Sequence, residues 1–342
     1  MRTQKVTIKD IARELGVSPS TVSRALKDHP DISPQTRKQV KDLVEKLNYQ
    51  PNAIALSLRN NRTNIIGVMV PELVHHFFSS VISGIESEAM KSGFNVMLFQ
   101  SGEDYEREVL NTKALINSRV DGVLVSVAKT SKKFSHIKQL IENGIPVVFF
   151  DRVCDDVEAD KVVVDDFEGA FNATEYLIKS GCKRIAHFGS QQHLQIGYQR
   201  KRGYITALEK HGLEVDDNLF LQCDTFNDAM RLTEVFMRQS NRPDGIFSVN
   251  DITGVGALNV IKRMGLRVPE DVSIIGFSDG LVSSVTEPLL TTVSQHGEDM
   301  GIKAASILLK RIIEENEKYT PVTEVIKTDL IIRDSTKPLL SS

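Results

Sequence analysis

The fold of the first fifty residues is decided by the stretch Val6-Thr-Ile-Lys-Asp-Ile-Ala-Arg-Glu-Leu-Gly-Val-Ser-Pro-Ser-Thr-Val-Ser-Arg-Ala-Leu26. Thr7 and Asp10 approximate a capping box, so a helix can begin there. Gly16 supplies the positive φ that ends this helix in a sharp turn. Ser18 is a good N-cap for a second helix, and Pro19 takes its first position, where the missing N–H costs nothing. The stretch therefore predicts a helix–turn–helix.

The two faces of this pair differ in chemistry. The inward, apolar positions at helical spacing are Ile8, Ile11, Ala12, Leu15, Val22, Ala25 and Leu26. The outward positions are Ser18, Ser20, Thr21, Ser23 and Arg24. Hydroxyls reach phosphates and base edges, and arginine pairs bidentately with guanine, so this face suits a major groove. The alternative is an ordinary helical hairpin packed on a larger body.

Charge is divided unevenly along the chain, which has a formal net charge of −3. Residues 1–60 hold 11 Lys and Arg against 6 Asp and Glu, a net of +5, which leaves −8 for the rest. A basic head joined to an acidic body is typical of a phosphate-binding domain attached to a domain that does not bind DNA. The charge pattern therefore favours double-stranded DNA over the plain hairpin.

Apolar runs alternate with helical patterns through the remaining residues, which suffice for two domains. The runs are Ile65–Val70, Asn95–Phe99, Gly122–Val125, Pro146–Phe150, Arg184–Gly189, Gly245–Val249 and Ser273–Phe277. Buried parallel strands have this character, so we expect an α/β body with helices on both faces of parallel sheets.

Aromatic and polar residues follow several of these strands. Ligands of such sheets bind beyond the carboxyl ends of the strands, where aromatic rings stack and Asp, Asn and Arg bind hydroxyls. The candidate contacts for a sugar or purine are Phe77, Phe78, Asp151, Arg200, Asn250, Ser278 and Asp279. Each has a structural alternative, because Asp or Asn after a strand is often only a helix N-cap.

The head resembles the DNA-binding domain of the LacI/GalR family of bacterial transcription regulators. The pattern T-x-x-D-[IV]-A-x-x-x-G-V-S-x-x-T-V-S-R begins at Thr7, and N-Y-x-P-N-x-x-A-x-x-L begins at Asn48. The resemblance implies base-reading roles for Pro19, Ser20 and Arg24. It implies contacts to the DNA backbone for Ser18, Thr21, Ser23, Tyr49 and Asn52, and it adds Thr7 as a further DNA-binding residue. It also implies a hinge helix that places Ala55 and Leu58 in the minor groove, where an apolar wedge bends the duplex.

The body resembles the effector domain of the same family, which is similar to periplasmic sugar-binding proteins. The matching segments include Gly181–Gly189, Asn250-Asp251 and Val268–Phe277. The resemblance implies effector contacts at Phe77, Phe78, Asp151, Arg200 and Asn250. Many relatives carry Asp directly after Gly-Phe or Gly-Tyr, whereas this chain has Ser278 and then Asp279. We therefore expect an effector that differs from a simple neutral hexose.

The resulting domain prediction has three parts. Residues 1–51 form an all-α helix-turn-helix head, residues 52–63 a hinge helix and linker, and residues 64–342 a ligand-binding and dimerisation body. The body comprises two doubly wound, parallel-sheet lobes of the periplasmic-binding-protein type. We expect an N-lobe of about 64–163 and 293–322, and a C-lobe of about 164–292 and 323–336.

The resemblance implies a homodimeric regulator, with repressor the commoner sign, that reads a pseudo-palindromic operator and responds to a small-molecule effector, expected to be a carbohydrate. The alternative keeps the head but makes the body respond mainly to a protein co-regulator of the catabolite-control type. A sugar-binding transport component is a third interpretation, which the basic head and the missing signal peptide oppose.

Other classes of function lack motifs in this sequence. Cys154, Cys182 and Cys223 are scattered, which favours buried thiols over a metal site or a structural disulfide. The chain has no phosphate loop and no nucleophile elbow, so we expect neither an enzyme nor a cofactor. Without an apolar run of about 18 residues, a cytoplasmic protein with no membrane contact is expected.

Overall fold

A computed structural model describes residues 6–49, 62–314 and 320–340. The chain divides into two compact units, Met1–Thr63 and Asn64–Ser342, and each is described here by itself. We call them the head and the body. Of the predicted hinge helix and linker, residues 52–61 lie outside the described residues.

The head contains three helices, α1 (Ile8–Leu15), α2 (Pro19–Ala25) and α3 (Pro34–Lys46). Their inner faces meet in one small core, in which Ile11, Val22, Ala25 and Val40 are fully buried. Apolar spacing of three and four residues therefore placed these positions correctly. The predicted helix–turn–helix is confirmed.

The body contains two sheets built mainly from parallel strands. In chain order the strands are β1 (Ile65–Val70), β2 (Asn95–Gln100), β3 (Gly122–Val125), β4 (Val147–Phe150), β5 (Asp160–Val164), β6 (Ile185–Gly189), β7 (Phe220–Gln222), β8 (Gly245–Ser248), β9 (Ser273–Ser278), β10 (Thr291–Ser294), β11 (Thr323–Ile326) and β12 (Asp329–Ile331). The N-lobe sheet has the order β11-β5-β4-β3-β1-β2, and the C-lobe sheet has the order β12-β10-β9-β8-β6-β7. Only β12 pairs antiparallel among these described strands. The predicted fold class is confirmed: a helical head is followed in the chain by a body with two parallel-sheet lobes.

Helices connect these strands and cover both faces of each sheet. They are α4 (His76–Lys91), α5 (Tyr105–Asn117), α6 (Ser135–Glu142), α7 (Asp166–Lys179), α8 (Gln195–Lys210), α9 (Phe226–Met237), α10 (Asp251–Arg263) and α11 (Gly297–Ile313). Each lobe consequently has two apolar layers, one on either side of its sheet. None of the helices in the described ranges combines the length and the hydropathy that a membrane span requires.

The chain passes between the lobes three times. The crossings follow β5 at Val164, β10 at Ser294 and β11 at Ile326, because β10 pairs with β9 in the C-lobe and β11 pairs with β5 in the N-lobe. The expected crossings near 163, 292 and 323 therefore differ from these positions by a few residues. Short strands with hydroxyl residues, such as Thr291–Ser294, lack the apolar signal that would have placed them.

Two glycines allow close backbone contact between α4 and α11 in the N-lobe. A Cβ added at Gly301 would overlap the carbonyl oxygen of Val81, and one added at Gly84 would overlap that of Glu298. Backbone atoms cannot move aside as a flexible side chain can. This reciprocal contact fixes α11, which enters the N-lobe directly after a crossing.

We predict that Gly301→Ala destabilises the body by about 1–3 kcal/mol, because the new methyl group overpacks a backbone contact. The control is Gly254→Ala, where the atoms nearest the added Cβ belong to side chains, of Leu290 at 3.2 Å and of Ser248 at 3.6 Å. Thermal unfolding of the purified chain measures both. Equal midpoints for the Gly301→Ala variant and the wild type would contradict the assignment.

Candidate nucleic-acid interface and candidate ligand cleft

Helix α1 begins at a polar cap and ends at a left-handed glycine, as the sequence predicts. The carboxylate of Asp10 accepts hydrogen bonds from Thr7 N at 2.9 Å and from Thr7 Oγ1 at 2.6 Å. These bonds, the side-chain bond foremost, lower the pKa of Asp10. Gly16 has φ 63° and closes the helix. The turn between α1 and α2 is therefore locally encoded.

The outer face of α2 presents a patch of hydroxyls beside one guanidinium. Ser18 Oγ accepts from Thr21 N at 3.1 Å and also lies 2.7 Å from Ser20 Oγ. Pro19 takes the first helical position, so the cap is complete. The Arg24 guanidinium lies 4.0 Å from the Asp31 carboxylate, and its side chain remains 59% exposed. So loose a pair leaves Arg24 available to an external partner.

The other residues with implied DNA contacts differ in their surroundings. Thr7, Ser18, Pro19, Ser20 and Arg24 are exposed, whereas Thr21, Ser23 and Tyr49 are half-buried. Tyr49 packs on the head core, and this burial raises the pKa of its hydroxyl. Asn52, Ala55 and Leu58 lie outside the described residues.

A recess of about 260 Å³ in the body is lined by both lobes. It brings together three of the candidate effector residues, Phe77 after β1 and Ser278 and Asp279 at the end of β9. Phe78, by contrast, packs in the N-lobe core against neighbours that include Phe77, at a ring separation of 5.3 Å. Residues beyond the carboxyl ends of the two sheets thus line one recess.

The polar candidates at the end of β9 already have partners within the body. Asp279 Oδ1 accepts from an Arg333 guanidinium nitrogen at 2.6 Å, and Ser278 Oγ donates to Gln295 Oε1 at 2.8 Å. The Nε2 of Gln295 is buried without a hydrogen-bond partner in the described part of the chain. Arg333 and Gln295 were not predicted from sequence, since their roles depend on contacts 54 and 17 residues away.

The guanidinium of Arg200 is a buried charge with three partners in the C-lobe. It is 3% exposed, and its Nε donates to Asp166 Oδ1 at 2.7 Å. A terminal nitrogen donates to the carbonyl of Val249, and the group lies over the Phe277 ring at 3.7 Å from the centroid. Burial raises the pKa of Asp166, and the Arg200 charge opposes that rise. Sequence reasoning missed Asp166, although its position after β5 was a usable signal.

Asp151 follows β4 and contributes a buried carboxyl group from the N-lobe. It is 7% exposed, with Ser126 Oγ at 3.5 Å and Arg152 Nε at 4.0 Å from Oδ2. Burial raises its pKa to about 6, although Arg152 and Arg200 pull in the opposite direction. Because Arg200 belongs to the C-lobe, this influence acts across the cleft.

Asn250 caps α10, which is the structural alternative that its position suggested. Its Oδ1 accepts from Thr253 N at 2.8 Å, and its Nδ2 donates to the carbonyl of Asp224 at 3.1 Å. The next residue, Asp251, is buried and accepts from Gly280 N at 2.6 Å and from Thr292 Oγ1. Burial raises the pKa of Asp251 to about 7. Both side chains thus support the cleft through hydrogen bonds to other residues of the C-lobe.

A second set of contacts joins the lobes through Lys129, in the segment after β3. Its carbonyl accepts from His193 Nε2 at 2.8 Å, and its Nζ lies 3.7 Å from Asp224 Oδ2. The backbone N–H of Ala128 donates to the buried carboxylate of Glu108 at 2.6 Å, and that of Lys129 donates to the half-buried carboxylate of Glu103 at 2.8 Å. The segment is thus tied to the N-lobe while it contacts the C-lobe.

The described ranges contain no metal centre. Within them, no three His, Cys, Asp or Glu side chains form a group able to hold a metal ion. Cys154, Cys182 and Cys223 are buried free thiols, and burial raises the pKa of each. Burial of this kind suppresses the reactive thiolate form.

Comparison with known proteins assigns both units. A family model described as bacterial regulatory proteins, lacI family, matches residues 7–52. A second, described as periplasmic binding proteins and sugar binding domain of LacI family, matches residues 63–334.

Individual relatives agree over nearly the whole length. Catabolite control protein A of Priestia megaterium is 32% identical over 312 residues, which cover 91% of this chain and 93% of that protein. The HTH-type transcriptional repressor PurR of Vibrio vulnificus is 32% identical over 339 residues, or 97% and 99% of the two chains. The solved complex of the transcriptional regulator CelR with cellobiose has a TM-score of 0.74 at 29% identity and covers 97% of this chain and 100% of that one. These relatives are regulators rather than enzymes, and this chain is a DNA-binding transcriptional regulator that belongs to the LacI family.

Proposed function

We propose that this regulator is a homodimeric repressor whose affinity for a pseudo-palindromic operator is set by a small polyhydroxyl effector bound between the lobes. The observation that carries the proposal is a pair of buried ionisable groups on different lobes, whose charges interact. Asp151 comes from the N-lobe and Arg200 from the C-lobe, and each is less than a tenth exposed. A buried carboxyl and a buried guanidinium can form directional hydrogen bonds with ligand hydroxyls.

The DNA side of the proposal rests on the outer face of α2. Ser20 and Arg24 are exposed there, and Arg24 carries the charge that can pair with a guanine edge. Ser18, Thr21 and Ser23 are proposed to contact phosphates, which position the helix without reading sequence. A two-fold dimer would present two such helices to two half-sites.

The proposed effector site contains two groups of residues: those that would contact the ligand, and those that support them. Phe77 lines the recess together with hydroxyl-bearing Ser80 and Ser294, which suits the apolar and polar faces of a sugar ring. The solved complex of the related CelR with cellobiose supports a carbohydrate. We propose Asp151, Arg200 and Phe77 as primary contacts, with Phe78 and Asn250 acting mainly through packing and capping. Ser278 and Asp279 would act through the bonds they already make.

A ligand can change operator affinity only if it binds the two states of the body differently. Closing the lobes around an effector would bring Asp151 and Arg200 to the same hydroxyls. The free energy of that closure is the quantity that the dimer would transmit to its DNA-binding heads.

We predict that Arg24→Ala weakens binding to a selected operator by about 1–3 kcal/mol and relaxes base preference, because a guanine contact is lost. The control is Arg13→Ala, which removes the same charge from exposed α1. Selection of binding sites from a random duplex pool measures both preferences. An unchanged consensus for the Arg24→Ala variant would contradict the base-reading role.

We predict that one sugar or nucleoside raises the unfolding free energy of the full chain and changes its operator affinity. At about 100 times the dissociation constant the stabilisation is about 2.7 kcal/mol. Thermal-shift screening followed by operator titration provides the measurement, with Asp151→Asn as the variant expected to lose the response. A response only to a protein co-regulator would favour the alternative type of control.

We predict a pH signature for Asp151. A carboxyl whose folded pKa is raised stabilises the fold when protonated, and this contribution is lost as pH rises from 3.8 through about 6. Asp151→Asn mimics the protonated form. Its unfolding free energy relative to wild type should therefore rise by up to about 3 kcal/mol from acidic to neutral pH. A difference between the two proteins that does not vary with pH would contradict this environment for Asp151.

A further inference from the structure

A second recess between the lobes has a chemistry opposite to that of the first. Its volume is about 400 Å³. Its charged and amide-bearing lining comprises Lys129 and Lys132 from the N-lobe and Gln191, Gln192, His193 and Gln222 from the C-lobe. No carboxylate is among its described lining residues. The first recess, by contrast, is lined by Asp279, Glu298 and Asp299 and by no described lysine or arginine.

Lys129 is held in place before any ligand arrives. Its backbone is fixed by Glu103, its carbonyl is bonded to His193, and its side chain is only 26% exposed. The one carboxylate paired with it, Asp224, lies at 3.7 Å, which is longer than a direct charge-assisted hydrogen bond. The ammonium is thus partly shielded from solvent and loosely paired, and a better anionic partner could displace Asp224.

Lys132 supplies a second positive charge at the same recess. It is exposed, and it forms no ion pair with any residue of the described ranges. Gln191 and Gln222 come from the opposite lobe and offer amide donors without adding charge. Two ammonium groups from one lobe and the amides of Gln191 and Gln222 from the other match a compact oxyanion with several acceptor oxygens.

We propose that this recess binds the phosphate group of the effector, so that the ligand class is a phosphorylated sugar or polyol. The inference rests on the proposed function, because the polyhydroxyl part would lie toward Asp151 and Arg200. A phosphate held by Lys129 on one lobe and by Gln191 and Gln222 on the other would stabilise the closed arrangement. Lysine suits this role as a point charge for phosphate.

The test uses inorganic phosphate and the full chain, at constant ionic strength. Phosphorus NMR line broadening is measured for wild type, Lys129→Gln, Lys132→Gln and Lys133→Gln. Lys133 is the matched control, since it is exposed and adjacent but does not line the recess. We expect saturable binding with a dissociation constant on the order of 1 mM in wild type and in the control. Each of the other two substitutions should weaken it by about tenfold.

Lys132→Gln keeps the test decisive if Lys129→Gln disturbs the fold, because Lys132 is an exposed side chain. The basic head also attracts phosphate, but equally in all four proteins. Identical binding by all four, or no saturable binding by wild type, would overturn the proposal.

Matched pairs of ligands separate this inference from the proposed function. Ribose against ribose 5-phosphate and glucose against glucose 6-phosphate are compared in operator titrations. A neutral sugar that acts alone, with no gain from its phosphate, overturns the phosphate subsite and leaves effector control intact. Phosphate binding that depends on Lys132 but never alters operator affinity supports the subsite and contradicts effector control.

Discussion

The buried guanidinium of Arg200 is the interaction on which the cleft depends. A charge that is 3% exposed is tolerable only with full compensation, and Asp166, the Val249 carbonyl and the Phe277 ring supply it. These partners come from the start of α7 and the ends of β8 and β9, so one side chain fixes three elements at the carboxyl edge of the C-lobe sheet. Its charge also reaches Asp151 in the N-lobe. The geometry of one lobe is thereby linked electrostatically to the ionisation of the other.

The two recesses of the cleft differ in the charge of the residues that line them. One recess is acidic and contains the Phe77 ring, whereas the other is basic and rich in amides. In the basic recess Lys129 of the N-lobe accepts a hydrogen bond from His193 and lies near Asp224, both in the C-lobe, so separating the lobes would break these contacts. A ligand that replaces Asp224 as the partner of Lys129 changes the balance between these arrangements. Such a difference in free energy is what a two-lobed body needs in order to control a DNA-binding head.

Local signals in the sequence determined much of the fold. Gly16 and Ser18 act through their own backbone neighbourhood, and long apolar runs such as Ile65–Val70 mark buried strands. Short strands such as Phe220–Gln222 and Thr323–Ile326 carry no such run, so their places follow from tertiary pairing alone. The same contrast between local signals and distant contacts holds for the site residues. The positions that follow strands could be predicted from the sequence. The ion pairs of Asp279 with Arg333 and of Arg200 with Asp166 could not, because each joins residues that are distant in sequence.

The central claim is that occupancy of the cleft and binding of operator are coupled free energies. Thermodynamic linkage requires this coupling to be reciprocal, so the most direct measurement is effector affinity by calorimetry with and without saturating operator duplex. The account predicts that the duplex changes the effector dissociation constant by about 5- to 150-fold, by the same factor as effector changes operator affinity. A scrambled duplex should leave it unchanged. An effector dissociation constant that is identical in the presence and absence of operator would contradict the account.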